Sequence, residues 1–378
     1  MSHIVEIFRR HGGPYLQNHQ RHILPSHRRT IRDIRRCRTP VMGGHIYQCS
    51  HCDHYHYSYH GCGNRHCPQC QSQATRRWVD QRTEEVMPVP YFHLVFTLPA
   101  EFRALVRANQ KIAYAILFKA AAESLIKLAA DKRYLGTRFI GILAVLHTWS
   151  RAMLYHPHVH LLVPAVGLSK DGGTVHFSRR QYLVPVKALS KIFRAKFIAR
   201  IKAALPEQVI PGVTGKKAWV VFCKHLDLGP QKAIAYLGRY LNRVAVSDAR
   251  VRSCADGDVC VSYRDDNRVK NARLSAQEFL RRYLQHVLPK GFNKVRRYGL
   301  FAPCKRESLT ALRHQLLLGK QTKPSIQAAK KKPDERQRWQ RCPQCDRGVM
   351  RPVRQLVANY RSRSPPNQYA APLLMTVA

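Results

Sequence analysis

Acidic residues are scarce. Of 378 residues 22 are Asp or Glu, against 65 Lys or Arg, and the formal net charge is +43. The basic residues run through almost every segment, so the chain cannot neutralise itself. A field of that sign and size suits a polyanion, nucleic acid before a ribosome-like surface or an anionic membrane. Long apolar runs are also missing. None reaches the ~20 residues that span a bilayer, and the longest, around residues 158 to 168, is strand-sized. The opening "MSHIVEIFRRHGG" has no apolar signal-peptide core. These absences read as a soluble, cytoplasmic protein with no membrane partner. No Walker A loop is present: "GVTGKK" at 212–217 has too few residues between its glycines. There is no long internal repeat. What remains is a chain with 45% hydrophobic residues, enough for a sizeable core and for two or three domains.

Cysteine, by contrast, is plentiful. In a reducing compartment the 12 cysteines need a reason other than disulfides. Six fall between residues 37 and 70. "CSHC" places Cys49 and Cys52, and "CPQC" places Cys67 and Cys70, with 14 residues between the knuckles. That spacing matches a four-cysteine zinc ribbon, because each knuckle converges two thiolates on one ion without strain. The expected structural Zn²⁺ set is Cys49, Cys52, Cys67 and Cys70. Cys37, Cys62 and nearby histidines leave the ligand set open, Cys62 foremost. A second "CPQC", at Cys342 and Cys345, is half a zinc site. Cys304 is one further candidate, but two more ligands are not evident.

Periodicity divides the chain into four parts. Residues 1–86 read as a helical, zinc-binding and DNA-binding domain. A mixed strand-and-helix domain follows over 87–250. Residues 251–317 form a small β-rich and helical extension. Residues 318–378 form a basic tail with little expected order. Within 87–250, "YFHLVFTL" is a strand, and "EFRALVRANQKIAYAILFKAAAESLIKLAAD" is one or two helices. "FIGILAVLHTW" and "HVHLLVPAV" form a strand hairpin. "VKALSKIFRAKFIARIKAAL" is a basic helix, "AWVVFCKHL" a strand and "GPQKAIAYLGRYLNRVAV" a helix. The order β-α-β-β-α-β-α predicts an α+β fold with a ferredoxin-like antiparallel sheet, helices on one face, and one added helix.

Two short patterns inside this domain carry chemistry. "LYHPHVHLLVPAVG" sets His156, His158 and His160 at alternate positions of a strand, so they share one face. With 20 histidines in the chain, about one His-x-His arises by chance, so the motif needs company. "AIAYLGRYLNRVAV" supplies it. Tyr236 and Tyr240 lie one helical turn apart, between an apolar stripe (Ala233, Ile234, Leu237, Leu241, Val244) and a basic one (Lys232, Arg239, Arg243). A divalent ion on the histidines would polarise a phosphodiester. A tyrosine hydroxyl would attack the phosphorus, and nearby cations would favour the phenolate. The blander reading of the same residues is a core strand and an amphipathic helix with boundary tyrosines.

These stretches together resemble the His-hydrophobic-His (HUH) transposases of bacterial insertion sequences, in their two-tyrosine IS91 branch. The likeness covers roughly residues 10 to 305. "GGHIYQCSHC" with "CGNRHCPQCQ" resembles the family's zinc-binding N-terminus and "FTLP" its first nuclease strand. "HPHVHLLVP" carries the histidine pair, His158 and His160, and "YLGRYLNRVA" the tyrosine motif. "FLRRYLQHVLPKGFNKVRRYGL", with Arg296 and Arg297, resembles the segment after the nuclease. The resemblance implies cleavage and rejoining of single-stranded or hairpin DNA at element ends, with Mg²⁺ or Mn²⁺ as catalytic ion, in rolling-circle-like transposition. It does not supply the third metal ligand. His147 and His156 are candidates, and Arg151 stands near where a related enzyme might place Gln or Glu. The competing readings are a plasmid replication initiator or relaxase with the same chemistry, and a non-catalytic zinc-ribbon nucleic-acid-binding protein.

Overall fold

The computed structural model describes residues 2–83, 86–179, 181–226, 238, 245–253, 257–265, 268–318 and 341–359. The chain does not divide into consecutive blocks. One compact unit gathers Met1–Ala74, Asn242–Val287 and Ser325–Ala378, and a second gathers Thr75–Leu241 and Leu288–Pro324. No helix among the described residues is long and apolar enough to cross a membrane.

In the first unit, α1 (His3–Asn18) packs on α2 (Pro25–Arg36) through the buried Ile4, Ile7, Phe8, Ile31 and Ile34. The start of α1 is doubly capped. Ser2 Oγ accepts from the Val5 N–H, and Asp248 Oδ1 accepts from the Ile4 N–H at 2.9 Å, a carboxylate at the positive end of a helix dipole. Asp248 leads into a three-stranded antiparallel sheet of β9 (Val251–Ser253), β10 (Asp258–Asp265) and β11 (Arg268–Ser275). The following α8 (Ala276–Leu284) returns to α1, where the Tyr283 and Phe8 rings meet edge to face at 5.1 Å. Residues 251–287 therefore belong with the N-terminal helices rather than forming a separate extension. Cys260 is disulfide-bonded, an exception to the expected absence of disulfides.

A second three-stranded sheet in this unit has the order β13-β1-β2. It is built from β1 (Gly44–Cys49), β2 (Tyr55–Tyr59) and β13 (Met350–Leu356). Strand β13 lies in the tail, where little order was expected. The correction has a plain cause: from Gly44↔Leu356 to Cys49↔Met350 the backbone of this stretch pairs with β1, so its polar groups are satisfied in a ladder. Residues 319–340 and 360–378 lie outside the described residues.

α3 (Pro68–Thr83) spans the division between the units. The second unit holds a seven-stranded sheet in the order β7-β6-β4-β5-β3-β8, with β12 also paired to β4. Its strands are β3 (Tyr91–Thr97), β4 (Phe139–Trp149), β5 (Tyr155–Pro164), β6 (Val166–Leu168), β7 (Val175–Phe177), β8 (Val221–Leu226) and β12 (Val295–Gly299). The middle four, β8-β3-β5-β4, are mutually antiparallel and stand in the order expected of a split βαβ arrangement. Both faces carry packing, not one. Phe92, Leu94, Phe96, Ala144, Leu146, Val159 and Leu161 face a core shared with α5 (Gln110–Ala129) and α6 (Val186–Ala204). The short α4 (Arg103–Ala108) precedes α5, so the long apolar segment is indeed two helices, and the single turn α7 (Val213–Lys216) follows α6. The opposite face buries Tyr91, Leu143, Val145 and Leu162 against Trp78 and Val79 of α3 and against Leu309, Leu312 and Leu316 of α9 (Arg306–Leu318). β12 was expected within a separate extension. It instead extends this sheet, and Gly299 (φ +58°) ends it where a Cβ would strike the Ile140 carbonyl.

Phe193 is fully buried at the centre of the α6 contact, edge to face with Phe96 at 5.0 Å and with Trp219 at 5.3 Å. Phe193→Ala should destabilise this unit by about 3–5 kcal/mol, read as a lower urea midpoint by tryptophan fluorescence. A change under about 1 kcal/mol would contradict this packing.

Candidate metal centres

Strand register assembles the first centre. His158 pairs with His147 of β4 and Thr97 of β3, and His160 pairs with Val145 and Val95. Directly opposed residues in a sheet share a face, so His147, His158 and His160 project together. They stand on the face that also carries Leu143, Val145 and Leu162, next to the end of that apolar core. Val159 and Leu161 point the other way, into the α5–α6 core. The ligand nitrogens of the three histidines lie within 4.8 Å of one another. His147 stacks on Trp149 with ring centroids 4.3 Å apart and meets the His160 ring edge to face at 4.3 Å. His156 falls outside this group, its Nδ1 facing Arg103 Nη2 at 3.5 Å, and Arg151 is exposed.

The backbone and a fourth histidine fix the rings. His158 Nδ1 lies 2.7 Å from the His156 carbonyl, so it is the protonated nitrogen of a neutral ring. His160 Nδ1 lies 2.8 Å from Nε2 of His93 on β3, the two rings stacked at an interplanar angle of 4°. Nε2 is then the nitrogen each of His158 and His160 presents to an ion, the arrangement by which an outer partner sets a ligand's tautomer. Burial pushes His158 and His93 down to about 4, and burial also lowers His160, with His158, His93 and Lys294 adding to it. All three rings are neutral near pH 7, the form that ligates. Among the described residues, no carboxylate joins the group. Lys294 Nζ lies 4.7 Å over the Trp149 ring, and Lys224 stands opposite His93 in the β3–β8 ladder, so the surroundings of the centre favour an anion. His93 is the residue that sequence reasoning missed. Its parity within β3 matches that of Val95 and Thr97, but the pairing with His160 exists only once β3 and β5 are in register.

The cysteines form two further centres, and the expected ribbon set is divided between them. Cys67 and Cys70 group with Cys37 and Cys62, whereas Cys49 and Cys52 group with Cys342 and Cys345. In the first group the sulfurs of Cys37 lie 3.6 Å from Cys70 and 3.5 Å from Cys67, and those of Cys62 and Cys70 lie 3.8 Å apart. A tetrahedral Zn–S₄ site with bonds near 2.3 Å has sulfurs about 3.8 Å apart, so the residues fit the ion. The loop is held by Asn64, whose side chain donates to Asp33 Oδ2 at 2.8 Å and accepts from the His66 N–H at 2.8 Å. Tyr283 Oη donates to the His66 carbonyl at 2.6 Å. Cys37 caps the C-terminus of α2, and helix α2 rather than strand β1 delivers the missing ligand. Equal Cys-x-x-Cys spacing cannot say which knuckles share an ion. Cys304 is exposed and in neither group.

Tyr236, Tyr240, Lys232, Arg239 and Arg243 lie outside the described residues. Arg296 and Arg297 sit side by side in β12 and line an open groove with Trp78 and Lys111. They face opposite ways. Arg296 pairs with Ala144 on the helix-covered face and lies 4.8 Å over the Phe118 ring. Arg297 pairs with Leu143 and shares the histidine face.

Two family descriptions match the chain. Residues 7–98 match a family described as "Transposase zinc-binding domain", and residues 141–308 match one described as "Putative transposase". The chain is 36% identical over 374 residues to "Putative transposase y4qJ" of Sinorhizobium fredii, covering 92% of this chain and 94% of that protein. It is 31% identical over 290 residues to the "Transposase for insertion sequence element IS801" of Pseudomonas savastanoi pv. phaseolicola, covering 72% and 70%. The chain belongs to the IS91 family of transposases. Its N-terminal zinc-binding region and cysteine clusters accord with a zinc protein.

His93 touches a candidate ligand and not the ion's position. His93→Leu should weaken Mn²⁺ binding by roughly 10–100-fold while leaving the fold intact, and His93→Gln should restore much of it. A Mn²⁺ titration followed by electron paramagnetic resonance reads this directly. Equal affinity in wild type and His93→Leu would show that the contact orients nothing.

Proposed function

We propose that the chain is a metal-dependent, HUH-type DNA strand transferase. It cleaves and rejoins single-stranded DNA at insertion-sequence ends through 5′-phosphotyrosine intermediates, in rolling-circle-like transposition. The observation that carries this reading is the convergence of His147, His158 and His160 on one sheet face. Three converging imidazoles, His147 and His160 buried and His158 half-buried, beside lysines have little structural purpose, and a purely DNA-binding zinc-ribbon protein has no use for them.

His158, His160 and His147 would hold Mn²⁺ or Mg²⁺, and an all-imidazole set leans toward Mn²⁺. When bound, the ion would polarise the phosphodiester and offset negative charge on the phosphoryl oxygens. Lys224, Lys294 and Arg297 would draw and orient the phosphate. Tyr236 and Tyr240 would be the nucleophiles. The tyrosine oxygen bonds to phosphorus, the bond to the 3′ oxygen breaks, and the departing oxygen takes a proton to become a free 3′-hydroxyl. Lys232, Arg239 and Arg243 would favour the phenolate over a phenol whose ordinary pKa is ~10. The phosphotyrosine keeps the energy of the broken bond, so rejoining needs no nucleotide triphosphate. Two tyrosines one turn apart, ~6 Å between Cβ atoms, would serve two breaks in succession: one holds a 5′ end while the other attacks. The Cys37, Cys62, Cys67 and Cys70 centre would hold a structural Zn²⁺. The excess of Lys and Arg would bind DNA through phosphates.

The tests separate chemistry from binding. Single-stranded DNA carrying an element end, incubated with Mn²⁺ and run on a denaturing gel, should give a covalent protein–DNA adduct that EDTA abolishes. Tyr236→Phe with Tyr240→Phe should give no adduct, and either substitution alone should cripple transposition in cells. His158→Ala and His160→Ala should abolish cleavage yet keep single-strand affinity within a few-fold. An adduct from the double Phe protein would place the nucleophile elsewhere, and full cleavage in EDTA would remove the ion from the mechanism.

A further inference from the structure

We propose that the chain carries a second structural zinc site whose thiolates come from opposite ends of the sequence, Cys49 and Cys52 with Cys342 and Cys345, and that this ion clasps the C-terminal segment into the N-terminal module. The four sulfurs lie within 4.8 Å of one another. Cys49 and Cys345 are 3.6 Å apart and Cys52 and Cys342 3.7 Å apart. These separations are far beyond the ~2.05 Å of a disulfide and close to the ~3.8 Å edge of a Zn–S₄ tetrahedron.

The two knuckles are built alike and interlock. Cys49 Sγ accepts from the N–H groups of His51 at 3.3 Å and Cys52 at 3.4 Å, and Cys345 Sγ accepts from the Gly348 N–H at 3.4 Å. Such donors stabilise sulfur as thiolate, the ligating form. The Ser50 N–H donates to the Val349 carbonyl at 3.0 Å, and Ser50 Oγ accepts from the Val349 N–H at 2.9 Å. A Cβ at position 348 would collide with Cys49 Sγ and the His51 backbone, so only glycine lets the knuckles approach this closely. The β1–β13 ladder then continues from Cys49↔Met350.

Among the described residues, the sheet has little buried apolar surface. Its apolar cluster consists of Cys49, Cys342 and Met350, with Tyr47, Cys52 and Cys345 packed beside it. Tyr55, Tyr57 and Val353 are exposed. A three-stranded sheet with so little buried surface does not hold its register unaided, and an ion bridging both knuckles supplies what a hydrophobic core would. The zinc-binding family match ends at residue 98 and so contains one half of this ligand set. The other half is 290 or more residues away.

Zinc analysis of the purified full-length chain tests the site independently of cleavage. Wild type should hold two zinc ions per chain. Cys342→Ser with Cys345→Ser should hold one, as should a chain ending at residue 340, and Cys304→Ser should keep both. Cys62→Ser with Cys67→Ser should also hold one, lost from the other centre, so failure of one site is distinguishable from failure of the other. Cobalt substitution gives a second readout: the thiolate-to-metal absorption of wild type should fall by about half in the Cys342→Ser, Cys345→Ser protein. One zinc in the wild type, or two retained in that double variant, would overturn the proposal.

Discussion

The antiparallel register of three neighbouring strands is the constraint on which the histidine centre depends. A shift of one residue between β4 and β5 would turn His158 and His160 toward α5 and α6 and put Val159 and Leu161 in their place. The register is held by what lies on the two faces. Leu146, Val159 and Phe96 are buried on the helix side, and Leu143, Val145 and Leu162 on the other. The polar centre is thus positioned by apolar packing next to it, and burial keeps His158 and His160 neutral. His93 exploits the same register from β3.

The zinc-binding unit solves a different problem. Its helices share buried apolar residues, but the β13-β1-β2 sheet has only a small apolar cluster of Cys49, Cys342 and Met350 with Tyr47, Cys52 and Cys345 beside it. Two four-cysteine clusters of metal-site geometry lie in this unit, and polar braces such as Asp33–Asn64 and Tyr283–His66 hold the loop that presents the thiols of one of them. Asp248 at the start of α1 and β13 beside β1 show the same economy of ordinary secondary structure. Distant segments are recruited through backbone hydrogen bonds and a cap where apolar area is limited.

The charge excess runs through the sequence without fixing the fold of either unit. A net +43 is destabilising to a compact chain through self-repulsion and is retained where a polyanionic partner compensates it. Around the histidine centre that excess becomes local: lysines flank the rings and, among the described residues, no acidic group joins the cluster. Positive charge of this kind favours an anionic ligand over a cationic one.

Much was determined by sequence alone. Alternation in "HPHVHLLVP" is a local property of a strand, so the shared face of His158 and His160 and the inward turn of Val159 and Leu161 were legible directly. The β-α-β-β-α-β order of the sheet and its helices was legible for the same reason, as was the presence of zinc knuckles. Pairing between distant segments was decided only by the tertiary structure. Whether Cys49 and Cys52 meet Cys67 and Cys70 or Cys342 and Cys345 depends on which strands lie side by side, and Cys-x-x-Cys spacing contains no term for that. His147 over His156, the contact of His93 with His160, the recruitment of β13 from the tail and the opposite facing of Arg296 and Arg297 are likewise consequences of register. Local periodicity specifies which way a side chain points; only long-range packing specifies what it points at.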